Sequence, residues 1–238
     1  MGSHETVDWT AARPPAGGLR ERKKARTRQR LTDTATRMFL ARGFDEVRVT
    51  EIAAACEVSE KTVYNYFPTK ESLVLDRWES TAGALRAGLA DTSVHPVDAV
   101  RRILAGELAA LTSWLEAQDD PAAAAASVRR FGELVAATPA LRAYQNDTAN
   151  ELVLTVSGLL AGRAGLNADD PEPQIAATAL MGLWTVHFTA LGKYLDGTRA
   201  PAAVGRAVTA DLDTAAELIR TGLAGFAAPR DAAATTRP

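Results

Sequence analysis

Six residues within one seven-residue stretch carry side chains suited to reading a flat polar surface: Glu60, Lys61, Thr62, Tyr64, Asn65 and Tyr66. Lysine pairs with guanine O6 and N7, asparagine with adenine N6 and N7, and glutamate accepts from cytosine N4. Glu60, Lys61 and Asn65 are therefore candidate base readers. Thr62, Tyr64 and Tyr66 supply hydroxyl groups that suit phosphate oxygens. Thr62 serves equally as a helix spacer, and a tyrosine as packing against a neighbouring helix. Thr50 and Lys70 flank the stretch. A cation at the first position of a helix opposes the macrodipole. Lys70 makes sense there if a phosphate docks on the same free N–H groups; a tolerated surface lysine is the plainer reading. Thr50 either donates to a phosphate or caps a helix, and both can hold at once.

Signatures of catalysis do not appear. The sequence has no HExxH, no nucleophile elbow, no phosphate-binding glycine loop and no His/Asp/Glu cluster with ligand spacing. Neither an enzyme nor a metal or cofactor is expected.

Short helices must position these residues. Thr50 reads as an N-cap with Glu51 in the first turn, and Ile52, Ala53 and Cys56 face inward from that helix. Ser59 caps a second short helix, about 60–67, stopped by Pro68. Val58, Val63 and Phe67 form its buried side. A longer helix from about 20 to 43 braces both, with Leu31, Ala35, Met38 and Phe39 as its apolar stripe and Gly43 as its terminator. Two short helices joined by a tight turn and braced by a third make a helix-turn-helix, whose second helix fits a major groove about 12 Å wide. Thr69 reads as the cap of a long fourth helix reaching roughly to Gly88.

Charge is uneven. Residues 1–78 hold 14 Lys and Arg against 11 Asp and Glu, and residues 79–238 hold 13 against 18. Seven of the basic residues lie in 20–30, with one acid, Glu21. A basic head on an acidic body points to a polyanion met only by the head; a solvated basic helix start is the alternative. Arg22, Lys23, Lys24, Arg26, Thr27 and Arg28 could track phosphates, and the approach to the helix could enter a minor groove.

Beyond the head no strand pattern appears. Helices are expected at 96–118, 121–137, 139–164, 172–195 and 203–227. Residues 1–18 and 229–238, rich in Pro, Gly and Ala, are expected to be disordered. Ile175–Gly192 contains no Asp, Glu, Lys or Arg over 18 residues, the lower limit for a membrane span. Its Ala, Gly and Thr content favours a buried or subunit-interface helix, so no membrane partner is expected. The single cysteine, Cys56, excludes an intramolecular disulfide and fits a reducing cytoplasm, as does the lack of a secretory h-region.

The run Thr50-Glu-Ile-Ala-Ala-Ala-Cys-Glu-Val-Ser-Glu-Lys-Thr-Val-Tyr-Asn-Tyr-Phe-Pro-Thr-Lys-Glu-Ser-Leu73 resembles the DNA-binding domain of the TetR-type transcriptional regulators, over roughly 24–75. The resemblance implies an all-α fold of about nine helices. A three-helix helix-turn-helix domain (19–78) would precede a helical ligand-binding and dimerisation domain (79–228). It implies a homodimer on double-stranded DNA, and repression relieved by a small ligand. A two-fold dimer presents its reading helices about 34–36 Å apart, so the operator should be a near-palindrome. The family places residues such as Tyr64 and Tyr66 on the phosphate backbone. One departure stands out: the family commonly has Gly in the turn, where this chain has Glu57. A left-handed non-Gly residue costs about 1–2 kcal/mol, so either the turn is reshaped or the cost is absorbed. Cys56, just before it, reads as a small core residue.

For the C-terminal body, Trp114, Phe131, Tyr144, Met181, Trp184, His187 and Phe188 are candidate pocket-lining residues, apolar with a few polar tips; ordinary core packing is their alternative. Thr138–Tyr144 and Asp169–Pro173 are similar to a TetR-type subgroup, which implies an acyl-CoA or fatty-acyl effector. Arg129 and Arg130 could meet an acidic moiety or simply face water. Dimerisation is expected through 175–192 and the stripe Leu212, Ala215, Ala216, Ile219, Gly222, Leu223 and Phe226. A ligand-independent regulator, or an activator, remains the alternative function.

Overall fold

Each of the last five helices begins on a proline, at 96, 121, 139, 171 and 201. A missing N–H does no harm at the first helical position, and the fixed φ is already helical. The computed structural model describes residues 18–76 and 78–222. The expected N-terminal extension up to residue 17, the tail from 229, Leu223 and Phe226 lie outside the described residues.

Nine α-helices and no strand are present among the described residues. They are α1 (Leu19–Arg42), α2 (Val49–Ala55), α3 (Glu60–Tyr66), α4 (Trp78–Ala90), α5 (Pro96–Glu116), α6 (Pro121–Ala137), α7 (Pro139–Ala164), α8 (Pro171–Tyr194) and α9 (Pro201–Gly222). The all-α architecture expected from the sequence is the one observed. Gly43, at φ 91°, ends α1 as its position suggests.

The long fourth helix starting at Thr69 is not formed. Thr69 does cap, but what it caps is a single 3-10 turn, Glu71–Leu73. Its hydroxyl accepts from Ser72 N–H at 3.2 Å, and Ser72 Oγ accepts from Thr69 N–H at 3.2 Å. Ser72, Leu73 and Val74 are all buried. Three consecutive inward residues do not suit one face of a long surface helix. The helix proper, α4, starts at Trp78.

The described chain divides into two compact units. The head unit comprises residues up to Asp76 together with Ser113–Gln145; the body unit comprises Trp78–Thr112 and the residues from Asn146 onward. In the head unit, Leu31, Phe39, Ile52, Val63, Phe67 and Leu73 are sealed from water, and Val135 and Leu141 belong to the same core. Phe131 and Leu134 of α6 pack against it.

In the body unit, Arg163 of α7 holds the corner between α4 and α5. Its guanidinium donates to the carbonyls of Leu89 (2.9 Å), Asp91 (2.9 Å), Thr92 (3.4 Å) and Val94 (2.8 Å). Next to this corner His95 Nδ1 accepts from Val97 N–H at 3.2 Å, closing the start of α5. Asp98 receives both ends of the Arg220 guanidinium, at 2.6 and 3.1 Å, which ties α5 to α9.

The α9 stripe does not face outward as expected. Leu212 and Ala216 are buried, and Ala215 and Ile219 are half-buried, within their own unit. Leu212 and Ala216 fill the core of their own unit, while Gly222 at the end of the stripe is exposed. The uncovered side of α9 includes Ala210, Thr214, Leu218 and Thr221, with Leu218 76% exposed. On α8, Ile175 and Phe188 are likewise uncovered, at 68% and 53%.

Candidate nucleic-acid interface

The α2–α3 turn sets the aim of α3. Val58 N–H bonds the Ala53 carbonyl at 3.0 Å and Glu57 N–H bonds that of Ala54 at 3.1 Å. This is the Schellman pattern, which requires a left-handed residue between helix and turn. Glu57 takes that conformation, with φ 54°. The turn is therefore not reshaped; the cost is absorbed by the surrounding ties. Arg30 of α1 adds another by donating to the Cys56 carbonyl. Cys56 itself is buried, with its thiol directed to the Arg30 carbonyl at 3.6 Å.

Ser59 caps α3 as expected, accepting from Thr62 N–H at 3.1 Å. Its hydroxyl also pairs with the Thr62 hydroxyl at 2.8 Å, which leaves Thr62 half-buried and engaged in the cap. Glu60, Lys61 and Asn65 are exposed, and Tyr64 is 46% exposed. Tyr66 is different: it packs against the head core. Of the two tyrosines, one faces water and one faces inward. Helical periodicity accounts for the split, because two positions apart on a helix are on opposite faces.

Thr50 is not the cap of α2. Arg48 holds that place, and Thr50 is the second residue of the helix. The helix starts two residues earlier than its threonine suggests because Glu51 reaches back to accept from Arg48 N–H at 2.7 Å. The same carboxylate receives Arg42 at 2.8 and 3.2 Å. The Arg42 guanidinium first, and the Arg48 N–H second, hold the Glu51 carboxyl below its usual range. Nothing in the run 50–73 flagged Arg42, since its role depends on how α1 ends beside α2.

Lys70 stands at the start of the 3-10 turn Glu71–Leu73 and not of a long helix. Its ammonium donates to the Phe44 carbonyl at 2.6 Å and lies over the Phe44 ring, 4.3 Å from the centroid, and the Phe39 ring, 5.6 Å away. Burial pushes its pKa below the ordinary lysine value. The α1 candidates divide as well. Lys24 is exposed, and Thr27 bonds back to the Lys23 carbonyl at 3.1 Å. Arg28 is committed to Asp76, to the Tyr66 carbonyl at 2.8 Å, and to the Phe67 ring at 4.5 Å.

The body candidates are not in one unit. Trp114, Phe131 and Tyr144 belong to the head unit; Met181, Trp184, His187 and Phe188 belong to the body unit. Met181, Trp184 and His187 are buried along α8, whereas Phe188 is mostly exposed. A cleft of about 240 Å³ between α5 and α9 is lined by other residues, among them Arg101, Arg102, Ala105 and Leu212.

Comparison with known proteins settles what this arrangement belongs to. Residues 31–76 match the bacterial regulatory proteins of the tetR family, and residues 117–224 match the MftR C-terminal domain. The chain is 31% identical over 173 residues to the HTH-type transcriptional regulator TcmR of Streptomyces glaucescens, covering 71% of this chain and 75% of that protein. The chain belongs to the TetR family. It is a DNA-binding transcriptional regulator and not an enzyme. A second relative, 24% identical over 162 residues, is named as the mycofactocin biosynthesis transcriptional regulator MftR of Mycobacterium tuberculosis; the match covers 68% of this chain and 78% of that one. Among solved structures, this TetR-family chain is similar to Thermus thermophilus FadR, a repressor in complex with lauroyl-CoA, at 22% identity and a TM-score of 0.45 over 88% of this chain and all of that one.

Proposed function

We propose that this regulator binds a near-palindromic operator as a homodimer, represses from it, and is released by a small, largely apolar effector. The observation that carries the DNA part is the exposed row Glu60, Lys61, Tyr64 and Asn65, set on a helix whose other side is locked into the head core. In this reading Lys61 and Asn65 meet base edges and Glu60 accepts from cytosine, while Tyr64 donates to a phosphate. Thr50, Lys24 and Thr27 serve the phosphate backbone. Thr62, Tyr66, Arg28 and Lys70 act mainly by holding α3 and its surroundings, with any spare donor left for the backbone.

The dimer is supported by the outer faces of α8 and α9. On α8, Ile175, Thr178, Gly182, Thr185, Thr189 and Gly192 recur at alternating spacings of three and four, without a charge. A methyl group added at Gly182 or Gly192 would meet nothing within 4 Å. Small uncharged residues at this spacing let a second helix approach closely, and a two-fold axis would turn two such pairs into a four-helix bundle.

The effector reading rests on Met181, Trp184 and His187, which set a thioether, an indole and an imidazole along the inner side of α8. An acyl-CoA or fatty-acyl compound remains the class to try first. Two helices, α5 and α7, run through from body unit to head unit. An effector that shifts α7 also biases the head core through Leu141, which lies on that helix. Binding of DNA and effector is then reciprocal. A regulator working in this way acts in the cytoplasm.

Footprinting on the intergenic DNA beside its own coding region tests the reading. A protected inverted repeat, lost in Lys61→Ala and Asn65→Ala, is the expected result; uniform weak protection at all sequences would overturn it. Acyl-CoA compounds of graded chain length, added to the complex, should release DNA and not tighten it.

A further inference from the structure

Glu57 carries a conformational cost with no return visible inside the fold. It is the one non-glycine residue among the described ones with a positive φ. Strain of this kind persists where the surroundings over-determine it, and an observed outlier is a pointer to function. Here the ties are the two Schellman bonds and the Arg30 contact to the Cys56 carbonyl. None of them involves the Glu57 side chain. That side chain is exposed, and among the described residues it forms no hydrogen bond or ion pair, although Lys61 follows one helical turn later. A neighbouring acid of the same motif, Glu51, is neutralised by Arg42. The Glu57 charge is left facing solvent three residues ahead of the first residue of α3.

Resting on the reading of this unit as the DNA interface, we infer that Glu57 is a charge brake, lowering the affinity of the regulator for duplex DNA of any sequence. A carboxylate beside a polyanion is repelled by every phosphate within reach. The repulsion acts through water, over a screening length of about 10 Å at 0.1 M salt. It makes no base contact, so it weakens operator and random duplex alike. A glycine in the same place would remove both the strain and the repulsion. The brake keeps the complex within the range where a second ligand can undo it, because a coupling of fixed size releases a weaker complex more completely.

Two variants separate charge from strain. Glu57→Gln keeps the β-carbon and the left-handed strain but loses the charge; Glu57→Gly loses both. Each is titrated against an operator duplex and a random duplex at about 0.05 M and about 0.5 M salt. At low salt both variants should bind both duplexes about three- to fivefold more tightly than the parent, and the gain should vanish at high salt. Affinities within about 1.5-fold of the parent at low salt overturn the brake while leaving the DNA reading in place. So does a gain that survives high salt, because shape and not charge would then be responsible. A parent that binds no duplex overturns the DNA reading, and the brake with it.

Discussion

Arg28 Nε donates to Asp76 Oδ2 at 2.6 Å, joining residues 48 positions apart in the chain. The same guanidinium reaches the Tyr66 carbonyl at the end of α3. One side chain of α1 thus fixes both the last turn of the reading helix and the segment that leaves the head. Replacing Arg28 by Met should cost about 1–2 kcal/mol, the range for charge-assisted bonds with partial exposure. A double-mutant cycle with Asp76→Asn checks it: a coupling energy near zero would show that the pair contributes nothing.

The left-handed Glu57 predicts a stability gain of its own. Glu57→Gly should stabilise the fold by about 0.5–1 kcal/mol, since glycine takes positive φ without steric cost but gives back part of the gain as chain entropy. Chemical denaturation measures this directly, and a lower midpoint in the glycine variant would mean that the Glu57 conformation is not strained.

The corner clamp should be among the most sensitive sites in the body unit. Arg163→Met strips four carbonyls of their donor. The expected loss is about 2–3 kcal/mol, or roughly 4–12 °C of melting temperature for a chain of this size. Hydrogen exchange should quicken first in the last turn of α4.

His95 makes the same corner sensitive to acid. Its neutral ring accepts the Val97 N–H, and a protonated ring cannot. Burial first, and the Arg220 guanidinium second, push its pKa below the ordinary histidine value, against the opposing pull of Asp98; Arg163 adds to the depression. A histidine with a depressed folded pKa contributes stability that is full above the unfolded value of about 6.5 and is lost as pH falls through the folded value. Urea midpoints should therefore decline from pH 7 toward pH 5 more steeply in the parent than in His95→Asn, which retains a capping acceptor that does not titrate. Parallel declines would remove His95 from the account.

The outer face of α8 offers the test of assembly. Gly182→Arg puts a charge into open space, so the protomer should fold normally. Sedimentation should show monomers, and operator affinity should fall to that of a half-site. A variant that stays dimeric would place the interface elsewhere.

Much of this was legible in the sequence, because it is written locally. Ser59 announces the start of α3, and the prolines mark the later helices, whereas the sequence leaves the conformation of Glu57 open between a reshaped and a left-handed turn. The stripe Leu31, Ala35 and Phe39 names the buried side of α1. What was not legible depends on partners far along the chain. Thr50 looks like a cap until Glu51 is seen to reach back to Arg48. Lys70 looks like a free cation for a phosphate until its ammonium is found on the Phe44 carbonyl. Leu212 and Ala216 form an apolar stripe whichever side they face, and periodicity alone does not say whether the cover is the same chain or another. Arg28 belongs by type to the basic run and by contact to the core.

Because the head core draws Val135 and Leu141 from α6 and α7, the reading helix has no finished support when its own residues are made. During synthesis the unit must wait until residue 145 has emerged. At about 5–20 residues per second that is roughly 3–14 s after residue 76. A nascent chain halted in that interval would already carry every side chain meant for the groove, yet lack the floor on which they stand.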